Sequence, residues 1–276
     1  MILSRTPMRI SFFGGGTDFP QWYKDHPGAI LGTTIDKYCY VTLHDGQSWC
    51  TYDLPTKSGI ASSSAYTVGL LRVCTKFDKA IIAKLATTWE QDKMAGLVGS
   101  QDQYLCAHGG FHLLRFYPAY IKDTVLPPDM IMPLQDYLML FDTHSYRMGS
   151  FLLSHQLERM KQNRKILIRM VEMVDEAYGH LREHDYTGFG QMLNEEWRLK
   201  KRLSKYVSTP QIDSIYDVGL GAGAIAGKLL GGGGGGFMLF FVEPEKQEAV
   251  KDALSDLTLC PFKFETEGTK IIYHDN

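Results

Sequence analysis

The chain has 276 residues, a formal net charge of −2, 44% apolar residues and 22% charged residues. That balance and length fit one large globular domain or two modest ones. A near-neutral charge excludes the strong basic excess of a nucleic-acid or membrane-surface protein, and no apolar run of about 18 residues marks a membrane span. Five widely spaced cysteines without a C-x-x-C pair point to free thiols in a reducing, cytoplasmic compartment. Nine scattered histidines show no paired ligand spacing, which argues against a dedicated zinc site. The N-terminal MILSRTPMRISFF places charge inside its apolar stretch, unlike a signal peptide.

In chain order, strands are predicted over 8–13, 29–34 and 38–43. Helices follow over 63–74 and 79–94, then strands over 111–116 and 137–142. A long helix is predicted over 150–178, with Leu153, Leu157, Met160, Leu167, Val171, Val174 and Tyr178 on one stripe. The next covers 186–205 with Phe189, Met192, Leu193 and Trp197 facing inward, and another begins near Pro210. A strand over 237–242, a helix over 245–257, and strands over 263–265 and 269–273 complete the order. Strands dominate early and helices the middle, which reads as α+β with a boundary near residue 145.

Three segments carry chemistry. Arg9 on a strand, followed by Gly14-Gly15-Gly16-Thr17-Asp18, offers a cation, a backbone that a ligand can approach closely, and a carboxylate suited to sugar hydroxyls. Pro55 through Ala65 holds Ser58, Gly59, Ala61, Ser62, Ser63 and Ser64 just before a helix, where free N–H groups and the helix dipole favour phosphate. It is not a Walker A loop: at Gly227-Lys228 the required Ser/Thr is Leu229. In the third segment Glu90 lies on a helix, and Asp102 follows it by twelve positions in a polar loop. Kinases need one carboxylate for Mg²⁺ and often another for the acceptor hydroxyl. The six glycines 231–236 argue for unusual dihedrals or close approach of backbone to backbone or ligand.

In this order the segments resemble the three motifs of the GHMP kinases: Thr6 to Asp18, Pro55 to Ala65, and Gly223 to Gly236. Within that superfamily RTPMRISFFGGGTDFP, TTIDKY, GSQDQY and WRLKK are similar to the heptose 7-phosphate kinases. The resemblance implies a two-domain GHMP kinase fold, with a ribosomal protein S5 domain 2-like part over 1–145 and a ferredoxin-like part over 146–276. It implies ATP and Mg²⁺, and transfer of the γ-phosphate to the anomeric hydroxyl of D-glycero-D-manno-heptose 7-phosphate. Asp102 would take or orient the acceptor proton, and Arg9 would stabilise developing charge. Pro55, Ser58, Gly59, Ala61, Ser62, Ser63 and Ser64 would cradle ATP, with Ser63 and Glu90 on Mg²⁺. Gly15, Gly16, Thr17, Asp18, Gly233 and Gly234 would meet the sugar. Arg147, Lys200 and Lys201 are candidates for its 7-phosphate. Two departures stand out: Ile60 and Ala61 replace the motif's Leu-Gly, and 45–54 is short by several dozen residues. A kinase for free L-fucose or galactose, and a catalytically silent binder of the same fold, remain open readings.

Overall fold

Two long strands open the chain, built from β-branched, aromatic and other apolar residues. β1 (Ile2–Phe13) pairs antiparallel with β2 (Gly28–His44), and α1 (Pro20–Tyr23) lies between them. The structure, a computed structural model, describes residues 1–94, 97–146 and 149–275. The strands predicted over 29–34 and 38–43 are one. Pairing passes from Pro7–Tyr38 to Met8–Ile35, so Asp36 and Lys37 bulge out where Pro7 has no N–H to offer the ladder. β2 turns at Asp45 and Gly46, with φ of 47° and 74°, into β3 (Gln47–Tyr52). The short segment is thus a two-residue hairpin with the positive φ values such turns require.

Next come α2 (Ser62–Cys74), α3 (Lys79–Lys93), α4 (Gln101–His108), β4 (Phe111–Phe116), β5 (Ile121–Val125) and α5 (Pro128–Ile131). β6 (Leu138–Asp142) precedes α6 (Gly149–Glu158), α7 (Arg164–Arg182), α8 (Tyr186–Leu203) and α9 (Pro210–Gly221). The remainder is β7 (Ala226–Leu229), β8 (Phe237–Phe241), α10 (Gln247–Ala253), β9 (Thr258–Leu259), β10 (Phe264–Glu265) and β11 (Lys270–His274).

The first sheet has the order β11-β1-β2-β4-β5, with β3 and β10 also paired to β2; the second has the order β7-β8-β6-β9. The two sheets do not divide at residue 145. β6 belongs to the second sheet, and β10 and β11 return to the first. One core spans both: Met8, Phe12 and Phe13 of β1 pack with Phe189 and Leu193 of α8 and Phe237 and Phe241 of β8. Phe12 stacks on Phe111 at 5.4 Å and meets the edge of Phe189 at 5.5 Å. Each such pair contributes about 0.5–1.5 kcal/mol beyond area burial.

The helix predicted over 150–178 is two, α6 and α7. Asn163, buried at the break, donates to the Leu203 carbonyl at 2.8 Å and fixes it against the end of α8. The polar loop holding Asp102 is instead the first turn of α4. Among the described residues no helix is long and apolar enough to cross a membrane.

Candidate active site

The site forms where β1, the N-terminus of α2 and α4 converge. Arg9 is buried, and its guanidinium grips Asp102 with both arms: Nε to Oδ1 and Nη2 to Oδ2, each 2.7 Å. Nη1 donates to the Gly59 carbonyl at 2.7 Å. One side chain therefore ties the acid of α4 to the loop before α2. Asp102 keeps 23% of its side chain accessible. A carboxylate holding a bidentate arginine still has a free lone-pair site on each oxygen.

The loop before α2 has the features of an anion cradle. Ala61, at the helix N-cap, makes no side-chain cap and sits in the left-handed region at φ 64° and ψ 30°. That is the position where the resembling motif carries glycine. With no cap, the first amides of α2 stay open to an anion. Ser58 is buried, and its hydroxyl donates to the Pro55 carbonyl to shape the loop. Ser62 Oγ accepts from the Lys57 amide at 3.2 Å, while Ser63 is exposed.

Behind the loop, Glu90 is buried, with Oε2 accepting from Ser64 Oγ at 2.9 Å and Gln103 Nε2 at 2.6 Å. The serine that touches Glu90 is thus Ser64, and Ser63 faces solvent. Oε1 of Glu90 is buried without a partner among the described residues. Burial, with a further contribution from Asp102, pushes the Glu90 carboxyl above its ordinary range. A buried carboxylate oxygen left unpaired beside an anion cradle fits Mg²⁺, which typically takes one or two carboxylates plus phosphate oxygens. No cluster of three or more His, Cys, Asp or Glu suited to a metal occurs among the described residues.

The glycine turn after β1 is held from within. Gly14 has φ 81°, and a Cβ there would lie 1.9 Å from the Ala29 carbonyl. The buried Thr17 hydroxyl bonds Gly14 and Ala29, so Thr17 shapes the turn and does not face a sugar. Asp18 is buried against α4: its carboxylate accepts from the Gly16 amide at 3.2 Å and the Gln101 amide at 3.3 Å. Burial, then the charge of Asp102, pushes it above its ordinary range. Gly15 lies near Ser11 Oγ, itself buried and without a partner among the described residues.

Close backbone approach explains most of the glycine run. A Cβ at Gly231 would sit 2.3 Å from Gly59 Cα, and one at Gly236 would sit 2.1 Å from the Ser58 carbonyl. Gly233 and Gly234 rest on Val207, the latter donating to its carbonyl at 2.9 Å. The third motif thereby braces the second.

Lys201 pairs with Asp213 at 3.1 Å and lies over Trp197 and Tyr216, its charge already committed. Arg147 lies outside the described residues. The sequence reading missed Ser64 and Gln103 on Glu90, and the buried pair Glu196–Lys228 at 3.5 Å. Lys228 also donates to the Phe12 carbonyl, directly before the glycine turn. This pair therefore holds the turn from beneath. The signal was there: Glu196 sits beside inward-facing Trp197, and Lys228 follows a glycine dismissed only as a failed Walker match.

These three braced segments are the signature of phosphoryl-transfer enzymes that bind ATP without a Walker loop. Family models agree: the GHMP kinases N terminal domain matches residues 35–110, and GHMP kinases C terminal matches residues 177–257, together more than half of the chain. The chain belongs to the GHMP kinases. It is 27% identical to the D-glycero-alpha-D-manno-heptose 7-phosphate kinase of Campylobacter jejuni, with 98% of each chain covered. That alignment runs over 344 positions, so the relative carries segments this chain lacks. The structure is similar to a D-glycero-D-manno-heptose 1-phosphate kinase from Bacteroides thetaiotaomicron, with TM-score 0.80, 22% identity and 100% of each chain covered. It is also similar to Lactococcus lactis galactokinase complexed with galactose, with TM-score 0.75, 14% identity, and 98% of this chain and 94% of that one covered.

Proposed function

We propose that this protein transfers the γ-phosphate of ATP to the anomeric hydroxyl of D-glycero-D-manno-heptose 7-phosphate. The observation that carries the reading is the Arg9–Asp102 pair, bidentate at 2.7 Å and joined to the phosphate-binding loop through Gly59. The acceptor oxygen attacks the γ-phosphorus, the bond to the bridging oxygen of ADP breaks, and the hydroxyl proton passes to Asp102. Arg9 orients that carboxylate and places positive charge beside the transferring group. The amides at the start of α2 hold the triphosphate, and Asp18, Gly15 and Gly16 form the floor for sugar hydroxyls. Glu90 and Ser63 would hold Mg²⁺, which would neutralise phosphate charge when bound. With Lys200 buried against the Leu229 carbonyl and Lys201 paired with Asp213, Arg147 is the remaining candidate for the 7-phosphate.

The commitment of Lys201 to Asp213 favours a second reading, a kinase for a free sugar such as L-fucose or galactose. One panel separates the two: ADP release with Mg-ATP and heptose 7-phosphate, free heptose, L-fucose, D-galactose or no sugar. Phosphorus NMR of the product locates the new phosphate. Turnover with heptose 7-phosphate alone, lost in Asp102→Ala, supports the first reading. Turnover with a free sugar supports the second, and no turnover with any sugar sinks both.

A further inference from the structure

Along β1, Met8, Ile10 and Phe12 enter the core, so Arg9 and Ser11 share the opposite face. Ser11 pairs across the sheet with Gly32 of β2, and a Cβ at Gly32 would sit 3.1 Å from Leu105 Cδ1 of α4. Residues directly opposite on paired strands point to one face, so Ser11 faces α4. Gln101 lies one turn before Leu105 on the same side of that helix. Its backbone amide donates to Asp18, and the next residue is Asp102, held by Arg9.

Both side chains are buried, and neither is answered. Ser11 Oγ and Gln101 Oε1 have no partner among the described residues, and Gln101 Nε2 makes no hydrogen bond there either. Such groups cost stability unless something pairs with them. Gly15, partly exposed, supplies room beside them. Its φ lies outside the left-handed region, and a Cβ there would meet nothing nearer than Ser11 Oγ at 3.9 Å. Neither backbone strain nor packing therefore requires glycine at 15. An oxygen about 1 Å closer than that Cβ would be within hydrogen-bond reach of Ser11. The nearest charges on these elements are Asp18, Asp102 and Arg9, whose guanidinium already holds Asp102. That lining suits neutral hydroxyl groups better than a phosphate, because hydroxyls donate to carboxylates and exchange hydrogen bonds with a serine or an amide.

We propose that Ser11 and Gln101 bond hydroxyls of the acceptor sugar beside the one that reacts, and so set which sugar is phosphorylated. This inference rests on the kinase reading and adds two specificity-determining residues to the floor formed by Asp18, Gly15 and Gly16. Gln101 is one residue from Asp102 and Ser11 two from Arg9, so hydroxyls held by them fix the ring where the reacting hydroxyl meets Asp102. The Gln101 amide offers a donor and an acceptor to adjacent hydroxyls, and the Ser11 hydroxyl offers both. A sugar lacking either hydroxyl leaves a buried polar group unpaired, which is the stringent form of discrimination.

The test compares wild type, Ser11→Ala, Gln101→Met and Gly15→Ala on the panel sugar that wild type turns over and on its monodeoxy analogues. Ser11→Ala and Gln101→Met are each expected to lower kcat/KM for the parent sugar about 3–10-fold and to leave the KM for ATP unchanged. Each is expected to unfold no earlier than wild type, since it removes a buried unpaired group. For each of the two, one monodeoxy analogue that is already poor with wild type is expected to lose nothing further. Gly15→Ala is expected to raise the KM for the sugar while melting like wild type. A substitution at 11 or 101 that keeps wild-type kcat/KM, loses the same factor on every analogue or unfolds earlier overturns the assignment, as does a Gly15→Ala enzyme with wild-type KM. All of these leave the kinase reading intact. A wild type that turns over no sugar defeats the kinase reading and this inference with it.

Discussion

Ala61 holds a conformation that its side chain opposes. At φ 64° and ψ 30° it occupies the left-handed region, directly before the first turn of α2. For a residue with a Cβ that costs about 1–2 kcal/mol through contact with the following carbonyl. Glycine removes the contact but brings back unfolded-state freedom of about 0.4–1 kcal/mol. Ala61→Gly should therefore stabilise the protein by roughly 0.5–1 kcal/mol, or raise the midpoint by about 1–4 °C for a chain of this size. Ala61→Val should move it the other way, since a β-branched residue is a genuine outlier there. Calorimetry without nucleotide reads both, and ATP titration checks that affinity in the glycine variant is at least that of wild type. A glycine variant that unfolds at or below the wild-type temperature would refute the claim that the loop is strained at this residue.

Glu90→Gln should abolish Mg²⁺-dependent turnover yet become progressively more stable than wild type as pH rises. A carboxyl with a raised folded pKa contributes most below its ordinary value of 4.5 and loses stability as pH climbs through and above it. Melting both proteins across acid to neutral pH without Mg²⁺ checks this, and parallel curves would contradict it. Glu196→Leu should destabilise by about 3–5 kcal/mol by leaving Lys228 buried and unpaired, and adding Lys228→Met should recover most of that loss in urea denaturation. Gly231→Ala should raise the KM for ATP, because its Cβ would fall 2.3 Å from Gly59 Cα at φ 70°. Gly232→Ala, whose Cβ would meet only the Leu153 side chain at 3.2 Å, should be mild in the same nucleotide titration.

Much of this site was legible because its chemistry sits in contiguous motifs. Arg9, Asp102 and the loop around Gly59 were named from residue type, order and resemblance, and the fold brings them within hydrogen-bond distance. What sequence could not supply was which neighbour answers which. The run of three serines does not say that Ser64 faces Glu90 while Ser63 faces water; the helical rotation of α2 decides that. Lys201 and Lys200 are adjacent in sequence, yet a turn of about 100° per residue sends one to Asp213 and the other into the interior. The Asp45-Gly46 hairpin was readable from its turn chemistry and was passed over as merely a short segment. The composition of the sheets was hidden for a different reason: β10 and β11 return to the first sheet through pairings that no local pattern announces.

Where the fold departs from its own stability rules is also where it is equipped to act. Of the seven buried side-chain polar atoms without partners among the described residues, five belong to Ser11, Glu90, Gln101, Gln103 and Glu196. These lie on the strand that carries Arg9, on the turn that carries Asp102, and on the acids behind them. Each such orphan opposes folding by about 1–3 kcal/mol, and Ala61 adds backbone strain at the same place. Packing alone would favour apolar replacements at these positions. Groups kept desolvated and unpaired need no reorganisation when a polyanion and a polyhydroxylated acceptor arrive, so the local instability is what makes the site pre-organised for transferring charge.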